Sequence, residues 1–200
     1  MVPGEAAAAS DDELRRRLLE TAARLLGEEG PSALSTRRLA REAGTSTMAV
    51  YTHFGGMPAL VREVVAEGFA RLYAHVDEVS PTGDALEDLR QMAVAYRANA
   101  LENPHLYAVM FGTASLGGYR LHEDEMGVGL AAFSQLMGGV ERAMDSGALR
   151  RDDPAAVAGQ MWAALHGYVM LELAGLLRPI HDPESRLLWP MLANLMAALA

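Results

Sequence analysis

The chain has 200 residues, a formal net charge of −9, no cysteine, half of its residues hydrophobic and 22% charged. These are globular values. They exclude an intrinsically disordered chain and, without a thiol, a disulfide scaffold, a Cys-ligated zinc site, an iron–sulfur cluster and a cysteine nucleophile. No run of about 18 apolar residues occurs, so no transmembrane helix is expected. The opening stretch MVPGEAAAASDDE has no cationic segment before an apolar one, unlike a secretory signal, and the lack of cysteine fits a reducing cytoplasm.

Residues 1–10 read as a disordered lead, after which Asp11, Asp12 and Glu13 open a helix at its positive end. Leu14, Leu18, Ala22, Leu25 and Leu26 recur at helical spacing, and Gly27 with Gly30-Pro31 is expected to stop that helix. Ser35 is placed to cap a short helix through Ala43, and Gly44 to make a left-handed turn. Thr45, Ser46 and Thr47 cap a further short helix over 47–53, which Gly55-Gly56 breaks; Pro58 starts a long helix to about residue 79. Helices are expected from 84 to at least 99 and from Pro104, with a loop at 116–118. Further helices follow over 121–144, 154–177 and 184–199. Val and Ile are too scattered for a strand. The reading is an all-α chain of about nine helices, with a helix-turn-helix domain over 11–57 and a second domain over 58–200.

The acidic charge is unevenly spread. Residues 1–62 hold eight Arg and eight acids, whereas 63–200 hold nine Arg and 18 acids. Positions 31–62 contain Arg37, Arg38, Arg41 and Arg62 against Glu42 alone. A basic segment on an acidic body is the asymmetry expected when one end meets phosphate.

Three short helices with a glycine turn between the second and third make a helix-turn-helix candidate. The particular strings are more specific. LLxxAxxLLxxxG at 18–30, STRRLAREAG at 35–44 and VYTHF at 50–54 resemble the TetR family of bacterial transcription regulators. A reading helix of about seven residues would present its first turn and one face to the major groove. Thr45, Ser46, Thr47, Met48, Ala49 and Thr52 lie there. Thr can meet several bases, and Met and Ala can meet thymine methyls. No Arg, Asn or Gln on this helix offers a bidentate base contact, so direct readout is expected to be soft, with methyl contacts or DNA shape prominent. The resemblance implies that Tyr51 and His53 contact phosphate and that Ser35, Thr36 and Arg37 contact DNA from the preceding helix. Arg37 is the best candidate to reach a guanine or a phosphate. Arg38 and Arg41 divide evenly between DNA contact and a solvated face. Many family members carry a lysine where Met57 stands. Its loss predicts fewer ionic contacts and a shallow salt dependence, with backbone N–H groups at this helix start left to hold a phosphate.

Residues 84–199 hold no catalytic constellation, and the acid run from His122 to Glu125 suits a solvated helix start better than a metal site. Trp162 and His166 are four apart and share a helical face, and Gly167 permits close approach of another helix. Trp162, His166 and Gly167, with ENPHLYAVMFG at 102–112, resemble a Trp-His-Gly class of C-terminal domain in some TetR-family proteins, which implies ligand sensing and dimerisation. Met92, Tyr96, Tyr107, Met110, Phe111, Met137, Trp162, His166 and Met170 could wall an apolar pocket, with Tyr96, Tyr107 and His166 as polar anchors. For each methionine and tyrosine an ordinary core role in a helical bundle is the stronger reading, and for His166 the two readings weigh evenly. Apolar residues on more than one face of the last two helices, Leu165, Leu173, Leu176, Leu187, Leu192 and Met196 among them, exceed one inner stripe and point to a partner.

The expectation is therefore a cytoplasmic, homodimeric regulator that binds a palindromic double-stranded operator and acts as a repressor released by a small, largely apolar effector. Neither a metal nor a further cofactor is expected, nor a membrane partner, nor enzymatic activity. The helix 58–79 would couple effector and DNA. A rival reading, an enzyme or carrier that kept the fold and lost DNA binding, is opposed by Arg37, Tyr51 and His53.

Overall fold

The computed structural model describes residues 3–112 and 123–200. Among these lie nine α-helices and no strand: α1 Pro3–Glu29, α2 Thr36–Glu42, α3 Thr47–Phe54, α4 Met57–Asp77, α5 Ala85–Glu102, α6 Pro104–Phe111, α7 Glu123–Asp145, α8 Pro154–Leu173 and α9 Trp189–Leu199. A 3-10 turn at Pro31–Ala33 follows α1, and a π-turn at Glu184–Leu188 leads into α9. The all-α reading of the sequence holds.

Two local expectations do not. The lead is helical rather than disordered, because α1 begins at Pro3. The alanines at 6–9 are the strongest helix formers, and proline is tolerated in a first turn. Gly27 does not stop α1 either. The helix runs through it to Glu29, and Gly30 at φ 80° ends it. The loop expected at 116–118 lies outside the described residues.

The chain divides into two compact units, Met1–Ala70 with Asn103–Gly127, and Arg71–Glu102 with Val128–Ala200. The division differs from a cut at residue 57. The first unit keeps α4 as far as Ala70 and also takes α6. Glycines explain why α6 packs there. A Cβ on Gly27 of α1 would lie 3.3 Å from the His105 Cα and carbonyl oxygen, so glycine allows a backbone approach that a side chain would push apart by a few tenths of an ångström. A Cβ on Gly68 of α4 would lie 2.5 Å from the Met110 sulfur, so Met110 fills that space instead. Leu18, Leu25, Leu39, Val50, Leu60, Val64 and Tyr107 are fully enclosed and form this unit's core.

Within it, α2 and α3 are short and depend on their ends. The Ser35 hydroxyl accepts from the Arg38 N–H at 3.3 Å, and the Ser46 hydroxyl from the Ala49 N–H at 3.1 Å. Each such cap is worth about 1 kcal/mol. Between the helices Gly44 sits at φ 66°, and the Thr45 N–H reaches back to the Ala40 carbonyl at 2.8 Å.

In the second unit Leu89, Val140, Val157, Leu165, Val169 and Leu188 are buried. Gly139 lets α7 close on Leu89, whose Cδ2 would lie 2.9 Å from an added Cβ. Arg97 of α5 grips Glu172 of α8 with two parallel bonds of 2.8 and 2.6 Å, and reaches Glu184 of the π-turn at 2.9 Å. Planar two-point pairing of this kind fixes orientation as well as contributing energy. By contrast, a Cβ on Gly167 would meet no atom within 4 Å among the described residues, so no helix uses the expected approach there.

Gly44→Ala places a side chain at positive φ in the turn that aims α3. It should destabilise the first unit by about 1–2 kcal/mol, read as a lower unfolding midpoint in denaturant.

Candidate nucleic-acid interface

The two faces of α3 differ in kind. Val50 and Phe54 are buried, whereas Thr47, Met48, Tyr51 and Thr52 are exposed. Those four positions form one stripe along the helix. Met48 is 71% exposed and Tyr51 52%. The Thr52 hydroxyl donates to the Met48 carbonyl at 3.0 Å. Ala49 and Thr45 are half-buried, and Ser46 is exposed with its oxygen engaged in the cap. Gly55 ends α3 in the left-handed region at φ 71°.

His53 stands apart from the stripe. Its side chain is only 8% exposed, with Nε2 3.5 Å from Asp11 of α1 and its ring 6.0 Å from Phe54. One residue past Thr52 is a rotation of about 100° around a helix, which turns His53 toward α1. The pair is a link between α1 and α3, set apart from the exposed stripe. Arg15 adds another by pairing with Glu63 while its guanidinium lies 5.6 Å from the Phe54 ring centroid.

On α2, Arg37 is exposed and has no ion-pair partner among the described residues, whereas Thr36 is half-buried and Ser35 is a cap. Arg38 donates to Glu42 at 2.8 Å and to Glu29 at 3.0 Å. Arg24 pairs with Glu28 and Glu42. Arg38 in turn holds both Glu29 and Glu42 below the usual carboxylate range. Arg38 is thus committed to a local network, and Arg41, 3.7 Å from Glu42, is well exposed. The basic segment presents Arg37 and Arg41 outward.

The eight expected effector contacts divide between the two units. Tyr107 and Met110 are core of the first unit and Phe111 is half-buried beside them, with Tyr107 and Phe111 rings 4.8 Å apart and Phe69 edge-on to Phe111 at 5.7 Å. The others belong to the second unit. There the Trp162 N–H donates to the Tyr96 hydroxyl at 3.2 Å, and Tyr96 lies 3.0 Å from His166 Nδ1. Burial holds the His166 pKa below its ordinary value, which keeps it neutral. Phe133 of α7 packs edge-on against Trp162 at 6.0 Å. Met92 is buried and Met170 exposed. A separate recess of about 190 Å³ is lined by Val76, Asp77, Asp88, Met92, Gln135 and Arg142 among others. Of the expected contacts it includes Met92 alone, and it is smaller than the roughly 300–1,000 Å³ of common ligand sites. No group of His, Asp or Glu suited to a metal occurs among the described residues.

Residues 18–64 match the model of the tetR family of bacterial regulatory proteins, and residues 89–195 match that of the tetracyclin repressor-like C-terminal domain. The chain is a TetR-family transcriptional regulator. It is 29% identical to the HTH-type transcriptional regulator Rv0681 of Mycobacterium tuberculosis over 83% of this chain and 73% of the relative. A solved structure of unknown function from Rhodococcus sp. RHA1 superposes with a TM-score of 0.78 at 28% identity, covering 94% of this chain and 95% of that one. The TetR-family regulator PfmR of Thermus thermophilus shares the fold, with a TM-score of 0.68 at 24% identity over 77% and 85% of the two chains. The family models, the Mycobacterium tuberculosis relative and PfmR are described as regulators rather than enzymes.

In this TetR-family chain Met57 is the first residue of α4 and half-buried, and Pro58 after it has no N–H to give a phosphate. The cradle expected there is reduced accordingly. Sequence reasoning missed the acids that neutralise Arg24 and Arg38, although Arg38 and Glu42 at i,i+4 were a usable signal. It also missed Phe133, and the Arg97–Glu172 pair, which joins positions 75 apart and leaves no local trace. No helix among the described residues is long and apolar enough to cross a membrane.

Two histidines of the second unit should titrate in opposite directions. Burial pulls the His75 pKa down, but the Arg71 carbonyl at 2.9 Å and Glu102 at 3.0 Å accept from both ring nitrogens and raise it overall. His75 therefore stabilises the fold below pH 6.5, and this is lost as pH rises through its folded pKa. His166 has a depressed pKa, so its contribution is present above pH 6.5 and lost as pH falls through the folded value. Imidazole proton resonances should give a midpoint above 6.5 for His75 and below 6.5 for His166.

Proposed function

We propose that the chain is a cytoplasmic repressor that binds a palindromic double-stranded operator as a homodimer and is released by a small, largely apolar effector. The observation that carries this is the solvent-facing stripe Thr47, Met48, Tyr51 and Thr52, on a helix anchored by Val50 and Phe54 and flanked by Arg37, which has no ion-pair partner among the described residues. A protein that had abandoned DNA would have no use for a large exposed methionine and tyrosine beside such an arginine. Exposed Met170, Leu171 and Leu176, beyond the stripe that α8 buries within its own unit, support pairing with a second copy. A two-fold dimer would carry two reading helices to successive major grooves. The Tyr96–His166–Trp162 chain supports an effector site in the second unit, since it holds polar groups in fixed orientation among apolar neighbours. The effector shifts the equilibrium only by its differential affinity for the DNA-competent and released states, and α4, which contributes to both units, would carry the change.

The first experiment is selection of bound duplexes from a random DNA library at two salt concentrations. Recovery of one palindromic sequence is expected. With that duplex, Arg37→Ala and Tyr51→Ala should each weaken binding about tenfold to a hundredfold, and Arg37→Ala should reduce the slope of log affinity against log salt by about one if it meets phosphate. Unfolding midpoint and sedimentation should not change, because both side chains are exposed. Undiminished affinity in the double variant would overturn the proposal.

A further inference from the structure

We propose that the reading helix α3 recognises thymine through its 5-methyl group, with Met48 as the residue that determines specificity. The inference rests on the DNA-binding reading above and deepens it. Met48 is the second residue of α3, in the first helical turn, the part that reaches base edges in a major-groove complex. It is the most exposed large apolar side chain among the described residues, at 71%, and it lies on the opposite side of α3 from buried Val50 and Phe54. It has no role in the core. A thioether offers no hydrogen to a base and only a weak acceptor.

Its neighbours on the stripe narrow the chemistry further. Thr52, four residues on, sits beside Met48 on the same face and gives its hydroxyl hydrogen to the Met48 carbonyl at 3.0 Å. It is then not free to donate to the N7, O6 or O4 acceptors of a base edge, and its γ-methyl remains. Ser46, before the helix, has its oxygen accepting from the Ala49 N–H at 3.1 Å. Ala49 supplies a methyl and nothing polar. None of Thr47, Met48, Ala49, Tyr51 and Thr52 carries the paired donor and acceptor that reads adenine or the fork that reads guanine. The one apolar group on the major-groove floor of unmodified DNA is the thymine methyl. The Met48, Ala49 and Thr52 part of the face therefore has one base it can select by apolar contact, and Met48, long and unbranched, can follow a methyl whose position varies slightly with DNA shape.

Deoxyuridine isolates this contact. It pairs as thymidine does and keeps every hydrogen-bonding group, losing only the methyl. Duplexes of the selected operator would be made with deoxyuridine replacing thymidine one position at a time in both half-sites, and affinities measured for the full-length wild type, Met48→Ala and Thr52→Ser. Wild type should lose about fourfold per methyl removed at one or two adjacent positions per half-site, the worth of one buried methyl-sized group, and nothing elsewhere. Met48→Ala should bind the thymidine operator more weakly and no longer distinguish uridine at one of those positions. Thr52→Ser keeps the hydroxyl and should flatten the response at the neighbouring one. Equal affinity of wild type for all the duplexes would overturn methyl recognition while leaving operator binding intact. A uridine effect that survives unchanged in Met48→Ala would overturn the assignment to this residue. Failure of the wild type to bind any duplex at low salt would overturn the DNA-binding reading itself, and this inference with it.

Discussion

An eight-residue helix does not persist in water on its own, so everything the reading helix presents depends on Val50 and Phe54 being buried behind it. Those two side chains fix α3 in rotation. The other consequences follow from helical geometry. Thr47, Met48, Tyr51 and Thr52 must face out, and His53 must turn toward α1, where Asp11 meets it. The caps at Ser35 and Ser46 and the left-handed residues Gly44 and Gly55 settle where the short helices begin and end. The contact stripe is thus a by-product of core packing, and its chemistry can change while the scaffold stays.

Charge follows the same division. On paper the segment 31–62 is basic, with four arginines against Glu42, but α1 brings Glu28 and Glu29 to Arg24 and Arg38, and Glu42 joins them. Exposed pairs contribute little to stability, about 0–1 kcal/mol each. Their larger effect is on field. They remove Arg38 from the outward-facing charge and leave Arg37 and Arg41 on α2. On the proposed DNA-binding reading, an acidic chain with so little outward positive charge on that helix would draw little of its affinity from counterion release. Contacts to base edges and shape must then supply a larger share, which suits a face built of methyl groups.

The sequence shows the helix-turn-helix clearly because its determinants are local. Capping serines, positive-φ glycines and apolar residues three and four apart all act within one or two turns. Long-range packing left weaker marks. Gly27 looked like a stop signal, yet its lack of a side chain serves the approach of α6, far along the chain, at His105. That approach, with Gly68 against Met110, makes Tyr107 and Met110 core of the first unit and leaves Phe111 half-buried, although their size and polarity also suited a pocket wall. Helix propensity carried α1 back to Pro3 through alanines that read as a lead. Trp162 and His166 were legible as a pair from their spacing; that Tyr96 joins them, 66 and 70 positions away, was not visible from spacing alone.

The Tyr96–His166–Trp162 chain also constrains what the second unit can sense. Trp162 can only donate, so the tyrosine oxygen accepts from it, and the Tyr96 hydroxyl lies 3.0 Å from His166 Nδ1. Tyr96 is buried whereas Trp162 is 38% exposed, so the chain runs from the interior toward the surface. Burial favours a neutral His166, and a neutral ring can pair with the hydroxyl in either direction according to its tautomer. In the proposed effector site, a ligand reaching this chain would meet polar groups already engaged with one another, beside the Phe133 and Trp162 rings. That setting would favour a largely apolar molecule with few polar groups.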